Sequence, residues 1–567
     1  MSNIYKELSE ERKRLQAEGL VPEWYTTGGY QMFKEKYEYE TEGKSVKGQF
    51  ERIAKTAAKH LKGTKYEAQA EGKFFELLWK GWLSPSTPVL ANMGTNRGMP
   101  VSCSGTVVED SVDGFYSNLR EVALLTKYGF GTASDLSPVR PRGSKISVGG
   151  KASGVMPVIK EHVQAMRSIA QGTARRGAWA CYLDIEHGDF HEVVEHILAE
   201  PDDLNIGWTI KQSFIDRLNV NDKEAIERFQ KAMKVKMVTG KGYFFFVDKA
   251  NAKRPVMYRD LGLFINNSQL CSEIMLFNDS EHTYTCVLSS MNGAKFPEWK
   301  DTDAVFWATI FLDCVASEFI EKAKNTPGLE KAVRFTEKSR AIGLGLCGIH
   351  TLFMQKMLPF ESFEAHILSQ EISASIWEKA QEATKDMAKE LGEPEWCNGY
   401  GVRNTHLIAI APTKSTALLI GGISEGINPD PAMSYTQMTS AGEVDRTNPV
   451  LLDLMKTKGV YSKKHIQEIT DAQGSVQGVS WLTPEEKEVF KTAFEINQKA
   501  VLRLASARSR FIDQWQSLNL FFSADEDPAW IAEVHQEAFV DPNILALYYV
   551  YTQAGVQASK GECEACM

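Results

Sequence analysis

Six consecutive residues, Ser268-Gln269-Leu270-Cys271-Ser272-Glu273, constrain this chain more than any other stretch. They put a thiol and a carboxylate two positions apart, between the apolar runs Leu261 to Ile265 and Ile274 to Phe277. A polar reactive pair between two apolar runs predicts the tip of a loop driven into the middle of a fold. In an extended loop, residues two apart point the same way, so Cys271 and Glu273 are expected to face one substrate. The competing reading is a buried, inert cysteine beside a solvated glutamate, because free cysteine is commonly buried. The rest of the chain has to decide between the two.

A chain of 567 residues exceeds what one compact core usually holds, so two or more structural units are expected. The net charge of −9 argues against nucleic acid or an anionic membrane as the main partner. The first eighteen residues are charged throughout, unlike a signal peptide, and no apolar run is long enough to span a bilayer. A cytoplasmic address is expected. The nine cysteines are Cys103, Cys181, Cys271, Cys286, Cys314, Cys347, Cys397, Cys563 and Cys566. An odd number in an intracellular chain is not a disulfide framework, which leaves catalysis, metal binding or burial.

The chain begins with helices. Val46, Phe50, Ile53, Ala54, Ala57 and Leu61 recur at helical spacing, and Tyr66 to Trp82 reads as a second helix. Beyond Ser84-Pro85-Ser86-Thr87-Pro88 the pattern changes. Helices are expected over Asp113 to Tyr128, Val155 to Ile169, Thr302 to Ala323, Ser362 to Leu391, Pro484 to Trp515 and Pro528 to Phe539. Strands are expected at Ala178 to Leu183, Ile206 to Ile210, Tyr243 to Val247 and Leu407 to Ala411. This alternation predicts an α/β body. The loop from Gly129 to Gly154 is too long to be idle.

Three strings look like sites and are not. Gly343-Leu344-Gly345-Leu346-Cys347-Gly348 matches a dinucleotide fingerprint, but a charged helical segment precedes it where a strand is required, so close backbone packing is expected. His191 and His196 miss the i, i+4 spacing of a zinc helix by one position. Asn266-Asn267-Ser268 is a glycosylation string without secretion.

Three constellations carry chemistry. Cys563-Glu564-Ala565-Cys566 can cycle between dithiol and disulfide, and one such pair is a poor zinc site. Thr413-Lys414-Ser415-Thr416 follows an apolar run and opens a helix, where unpaired N–H groups and hydroxyls suit a phosphate; an ordinary N-cap reads the same. Tyr548-Tyr549 are adjacent phenols that, stacked, could pass an electron and proton stepwise; core packing is the alternative.

Together, from about Gly81 to the C-terminus and in order, these residues resemble the large (α) subunit of class I ribonucleotide reductases. The resemblance implies a ten-stranded α/β barrel of two half-barrels with a finger loop near 266–276. It divides the chain into an N-terminal helical region (1–82), the barrel (83–545) and the radical-transfer tyrosines with a redox tail (546–567). By the resemblance, Cys271 forms a thiyl radical that takes the 3′ hydrogen of a ribonucleoside diphosphate, and Glu273 is the general base on the 3′ hydroxyl. Cys103 and Cys286 are the reducing pair. Gln269 stands where the family usually has Asn, one methylene shorter. Thr87, Ser102, Thr413, Ser415 and Thr416 match positions that hold substrate, and Tyr548 and Tyr549 match the radical-transfer pair. Cys563 and Cys566 match the tail thiols that hand oxidation to a thioredoxin- or glutaredoxin-like protein. Asp110, with Arg140 or Arg142, matches the nucleoside triphosphate effector site of an α homodimer. No metal or cofactor is expected in this chain, because the radical comes from a separate metal-containing β subunit. About eighty residues precede the barrel without a recognisable ATP-cone, so no cone-type dATP inhibition is expected. The alternative is an adenosylcobalamin-dependent class II enzyme, which needs no radical-transfer tyrosines.

Overall fold

The computed structural model describes residues 3–39, 45–147, 149–171, 175–439 and 442–552. Helices Val46–Ala58 and Glu67–Trp79 pack on the long helix Ala304–Ala323, one of whose aromatic faces meets theirs. Tyr66 and Phe74 stand edge-on to Trp307 at centroid distances of 6.0 and 5.9 Å. Every apolar residue of the 46–61 pattern is buried, as its helical spacing requires.

The strands that matter are β1 (Leu83–Pro85), β2 (Cys103–Val107), β3 (Gly131–Asp135), β4 (Trp179–Asp184), β5 (Asn205–Ile210), β6 (Tyr243–Phe246), β7 (Tyr284–Cys286), β8 (Leu288–Asn292), β9 (Gly343–Cys347), β10 (Leu520–Phe522), β11 (Ala546–Leu547) and β12 (Val550–Thr552). The first sheet has seven strands in the order β11-β6-β5-β4-β3-β2-β7. Its central strands β2 to β6 are mutually parallel, and β7 and β11 run antiparallel along its two edges. The second sheet, β1-β8-β9, continues through single bridges from Leu344 to Ile408 and from Ile410 to Gln516. The α/β body expected is present, as a curled half-barrel sheet of seven strands and a second sheet of three strands widened by the bridged segments around Ile408 and Gln516.

Two extended segments join the halves. Residues 284–292 give β7 to the first sheet and β8 to the second, with only Val287 between them. Residues 546–552 give β11 to the first sheet, while β12 pairs with β10, which follows directly from the 514–517 segment of the second half. Tyr548 and Tyr549 occupy that second seam.

The structure departs from the sequence reading in four places. The stretch Gly129 to Gly154, read as one long loop, begins with buried strand β3 inside the first sheet. Leu407 to Ala411 is extended and buried but held by isolated bridges rather than a ladder. The helix expected over Pro484 to Trp515 is two helices, Pro484–Val489 and Gln498–Arg508, because Asn497 caps the second by accepting from the Lys499 N–H. The tip of the central loop is not extended: Ser272 has φ +65° and its N–H donates to the Gln269 carbonyl, closing a turn. Gly343-Leu344-Gly345 is strand β9, and a Cβ at Gly345 would stand 2.7 Å from the Ala409 carbonyl oxygen, so close backbone packing explains those glycines. Among the described residues no helix is long and apolar enough to cross a membrane.

Candidate active site

Residues 267–276 run buried and without regular structure between the half-barrels. Both halves grip this finger. From the first sheet, the Tyr182 hydroxyl on β4 donates to the Gln269 carbonyl at 2.7 Å. From the second, the Trp515 N–H donates to the Glu273 carbonyl at 2.9 Å and the Ser517 hydroxyl reaches the Cys271 carbonyl at 2.7 Å. Gly207 on β5 makes room for the Tyr182 ring, since a Cβ there would lie 2.4 Å from it.

The Glu273 side chain is 1 % exposed. The Gln269 amide nitrogen donates to it, and the Ser517 hydroxyl lies 3.0 Å from the same carboxylate oxygen. Burial raises the Glu273 pKa to about 7, and the donors Gln269 and Ser517 pull the other way without overcoming it. A carboxyl that changes charge near neutrality is matched to accepting and returning a proton. Gln269, longer than the usual Asn, folds back: its amide oxygen accepts from the Ile274 N–H at 3.1 Å and from the Ser268 hydroxyl at 3.0 Å. Its side chain therefore holds the carboxylate and the loop.

Cys271 and Glu273 open into a narrow cleft, which Cys103 also lines. Cys286 lies directly across from Cys103 in the β2–β7 register, and both are buried. Five of the hydroxyl residues expected at a substrate line the same cleft: Thr87, Ser102, Thr413, Ser415 and Thr416. Thr413 turns the chain at φ +57° into helix Lys414–Leu419, and its hydroxyl accepts from the Gly426 N–H at 2.9 Å. Sequence reasoning missed Ser84, Ser86, Ser289 and Ser290, which complete the hydroxyl lining. The hydroxyls of Ser86, Ser102 and Ser289 are buried with no partner among the described residues. Buried polar groups are normally paired, so three orphans around one cleft point to a polar ligand.

The Tyr548 and Tyr549 rings lie 4.2 Å apart at 55°. Sequence reasoning missed a third member, Tyr243 on β6, whose hydroxyl donates to that of Tyr549 at 3.2 Å and whose ring is 4.9 Å from Tyr548. The short strip 515–519 ties this cluster to the finger: Ser517 holds Cys271, and the next carbonyl, Leu518, accepts from the Tyr548 N–H at 2.9 Å. No local pattern announces Tyr243 or Ser517; tertiary pairing alone brings them in.

Away from the cleft, Arg140 pairs with Asp110 at 2.6 Å. Arg142 turns elsewhere, bonding both oxygens of Glu192 at 2.8 and 2.7 Å. The two arginines that sequence reading left equivalent are thus separated. Cys563 and Cys566 lie outside the described residues.

Comparison with known proteins agrees with this arrangement. The family model "Ribonucleotide reductase, barrel domain" matches residues 101–226, 207–399 and 395–549, and "Ribonucleotide reductase, all-alpha domain" matches residues 23–98. A Frog virus 3 (isolate Goorha) protein assigned as a ribonucleoside-diphosphate reductase large subunit is 32% identical over 520 residues, covering 86% of this chain and 90% of its own. The ribonucleoside-diphosphate reductase large subunit of Danio rerio is 26% identical, covering 85% of this chain and 70% of its own. Among solved structures, the Actinobacillus ureae class Id ribonucleotide reductase alpha subunit superposes with a TM-score of 0.86 at 34% identity, over 94% of this chain and 97% of that one. With residues 23–98 and 101–549 matched by the two family models between them, and a thiol-bearing finger inside the barrel, this chain belongs to the ribonucleotide reductase large-subunit family.

Proposed function

We propose that this chain reduces ribonucleoside diphosphates to 2′-deoxyribonucleoside diphosphates at the cleft beneath the finger. One observation carries the reading: a single cleft is lined by Cys271, Glu273, Cys103 and a ring of serine and threonine hydroxyls, three of them buried and unpartnered. Thr87, Ser102, Thr413, Ser415 and Thr416 hold the diphosphate and ribose. Cys271, as a thiyl radical, takes hydrogen from C3′ while Glu273 accepts the 3′ hydroxyl proton. The C2′–O bond then breaks, and its oxygen leaves as water with a proton from the Cys103–Cys286 pair. The pair supplies two electrons and two protons in all and ends as a disulfide. Cys271 returns hydrogen to C3′ and is again a radical. Enclosure by both half-barrels suits this chemistry, because water and stray hydrogen donors must be kept out.

A separate metal-containing β subunit supplies the oxidising equivalent. Tyr549, Tyr548 and the strip that ties them to the finger form the route inward. Cys563 and Cys566 re-reduce the buried disulfide and pass oxidation to a thioredoxin- or glutaredoxin-like protein. Asp110 with Arg140 takes a nucleoside triphosphate effector at an α–α interface; Arg142, engaged with Glu192, does not join it. We read residues 1–82 as a helical cap, 83–545 as the barrel and 546–567 as radical route and redox tail.

The test is reduction of a ribonucleoside diphosphate with and without a di-metal β subunit. Product only with β, and none from Cys271→Ser, is expected. Turnover with adenosylcobalamin and no β subunit would overturn the class I reading in favour of class II.

A further inference from the structure

The β2–β7 ladder that carries the reducing pair carries a third group. Its register sets Cys103 against Cys286 and, two residues along, Gly105 against Tyr284. Residues two apart on a strand share a face, so Tyr284 stands on the same face as both thiols. Its ring folds across the ladder onto Gly105: a Cβ there would lie 2.0 Å from the ring's Cζ and 2.2 Å from its hydroxyl oxygen. Only glycine leaves that space, and it draws the phenol oxygen over β2, one strand step from Cys103. Tyr284 is fully buried, and its hydroxyl has no partner among the described residues. The ionisable groups around it are Tyr182, Cys286, Cys103 and Glu273.

A buried O–H without an acceptor is unfavourable, so this one implies an acceptor that exists only part of the time. The reducing step provides one. When one thiol of the pair gives its proton to the departing 2′ oxygen, a thiolate is left in a site closed to water. A neutral thiol accepts hydrogen bonds weakly; a thiolate accepts them strongly.

We propose that Tyr284 is a positioning residue for the reducing step: its phenol donates a hydrogen bond to whichever sulfur of the Cys103–Cys286 pair has lost its proton, and holds it until the S–S bond closes. The proposal rests on the reductase reading above. The phenol keeps its proton throughout. The electrons still pass from the two sulfurs to C2′, one S–S bond forms, and water carries the oxygen away.

The test uses pre-reduced chain with its β subunit and a ribonucleoside diphosphate, no other reductant, and rapid quenching over a range of pH. Tyr284→Phe keeps the ring over Gly105 and removes only the oxygen. Substrate affinity and exchange of the 3′ hydrogen are expected to stay at wild-type levels. Deoxynucleotide formation should slow about tenfold, the loss of about 1.4 kcal/mol from one step. The alkaline limb of the rate should move to higher pH, because a thiol without its donor is a weaker acid. Gly105→Ala, which displaces the phenol but keeps it, should repeat the defect. A Phe variant with the wild-type rate and pH limb would reduce Tyr284 to packing. If the wild-type chain itself formed no deoxynucleotide, the reductase reading would fail first.

Discussion

At the scale of single residues, the site is built around one carboxyl whose charge is left open. Ser517 has one hydroxyl hydrogen and two acceptors in reach, the Cys271 carbonyl at 2.7 Å and Glu273 at 3.0 Å. The single hydrogen is shared between them, and the share given to Glu273 favours the ionised carboxylate. Burial opposes it and prevails, raising the pKa to about 7. A base must be ionised to accept a proton, so turnover is expected to rise with pH through about 7 and to level off above it. Ser517→Ala removes a donor that favours the carboxylate, so the acid limb should move to still higher pH, with a larger loss at pH 6 than at pH 8. Glu273→Gln should remove the limb along with most of the rate. The measurement is kcat against pH for the three proteins; an acid limb unchanged in Ser517→Ala would show that Ser517 serves the Cys271 carbonyl alone. Cys271 and Glu273 were legible in the sequence because a thiol and an acid between apolar runs are conspicuous. Ser517 was not, because its partners are more than two hundred residues away and a serine carries no local signature.

At the scale of elements, two glycines on the first sheet make space for two tyrosines on its inner side. Gly105 receives the ring of Tyr284 and Gly207 that of Tyr182. Tyr182 holds the finger's backbone from the first half-barrel, through the Gln269 carbonyl. A methyl at Gly207 would stand 2.4 Å from that ring, inside any tolerable contact, so the ring must shift and its hydrogen bond with it. Gly207→Ala is expected to cost about 1–3 kcal/mol of stability, the usual range for overpacking. It should also lower kcat well beyond any change in KM, because the finger loses its anchor while the hydroxyl ring of the cleft stays intact. Thermal unfolding and steady-state kinetics measure the two effects; a variant destabilised but with wild-type kcat would mean the second half-barrel positions the finger unaided. The sequence legibly supplied three of the five parallel strands, β4, β5 and β6, whose apolar runs mark burial on both faces. It did not supply β2 and β3, which are rich in Gly, Ser and Thr and carry no such run. Nor did it supply segment 407–411 as it stands, held by single bridges to its two neighbours, or the break at Asn497, where one capping residue overrides a long helical pattern. The turn at Ser272 was likewise hidden, since left-handed backbone at a residue other than glycine is decided by its surroundings.

At the scale of the whole molecule, the closed barrel creates a supply problem. Cys103 and Cys286 are 7% and 2% exposed, on strands at a seam that both half-barrels cover. A disulfide is reduced by direct attack of a thiolate on sulfur, so the attacking group has to reach it. A protein of thioredoxin size cannot enter so narrow a cleft. Something thin has to carry electrons in, and the remaining thiols among the described residues cannot, since Cys181, Cys314, Cys347 and Cys397 are buried in place. Cys563 and Cys566, outside the described residues, are the relay proposed above. With both changed to serine, the pre-reduced chain should still form product from its own Cys103–Cys286 pair, one per active site, and then stop when a protein dithiol is the only reductant. A small dithiol such as dithiothreitol, able to diffuse into the cleft, should restart it. Counting deoxynucleotide per chain under the two reductants separates the cases: continued turnover with the protein reductant alone would mean that the barrel opens far enough to admit it, and that the tail thiols are dispensable.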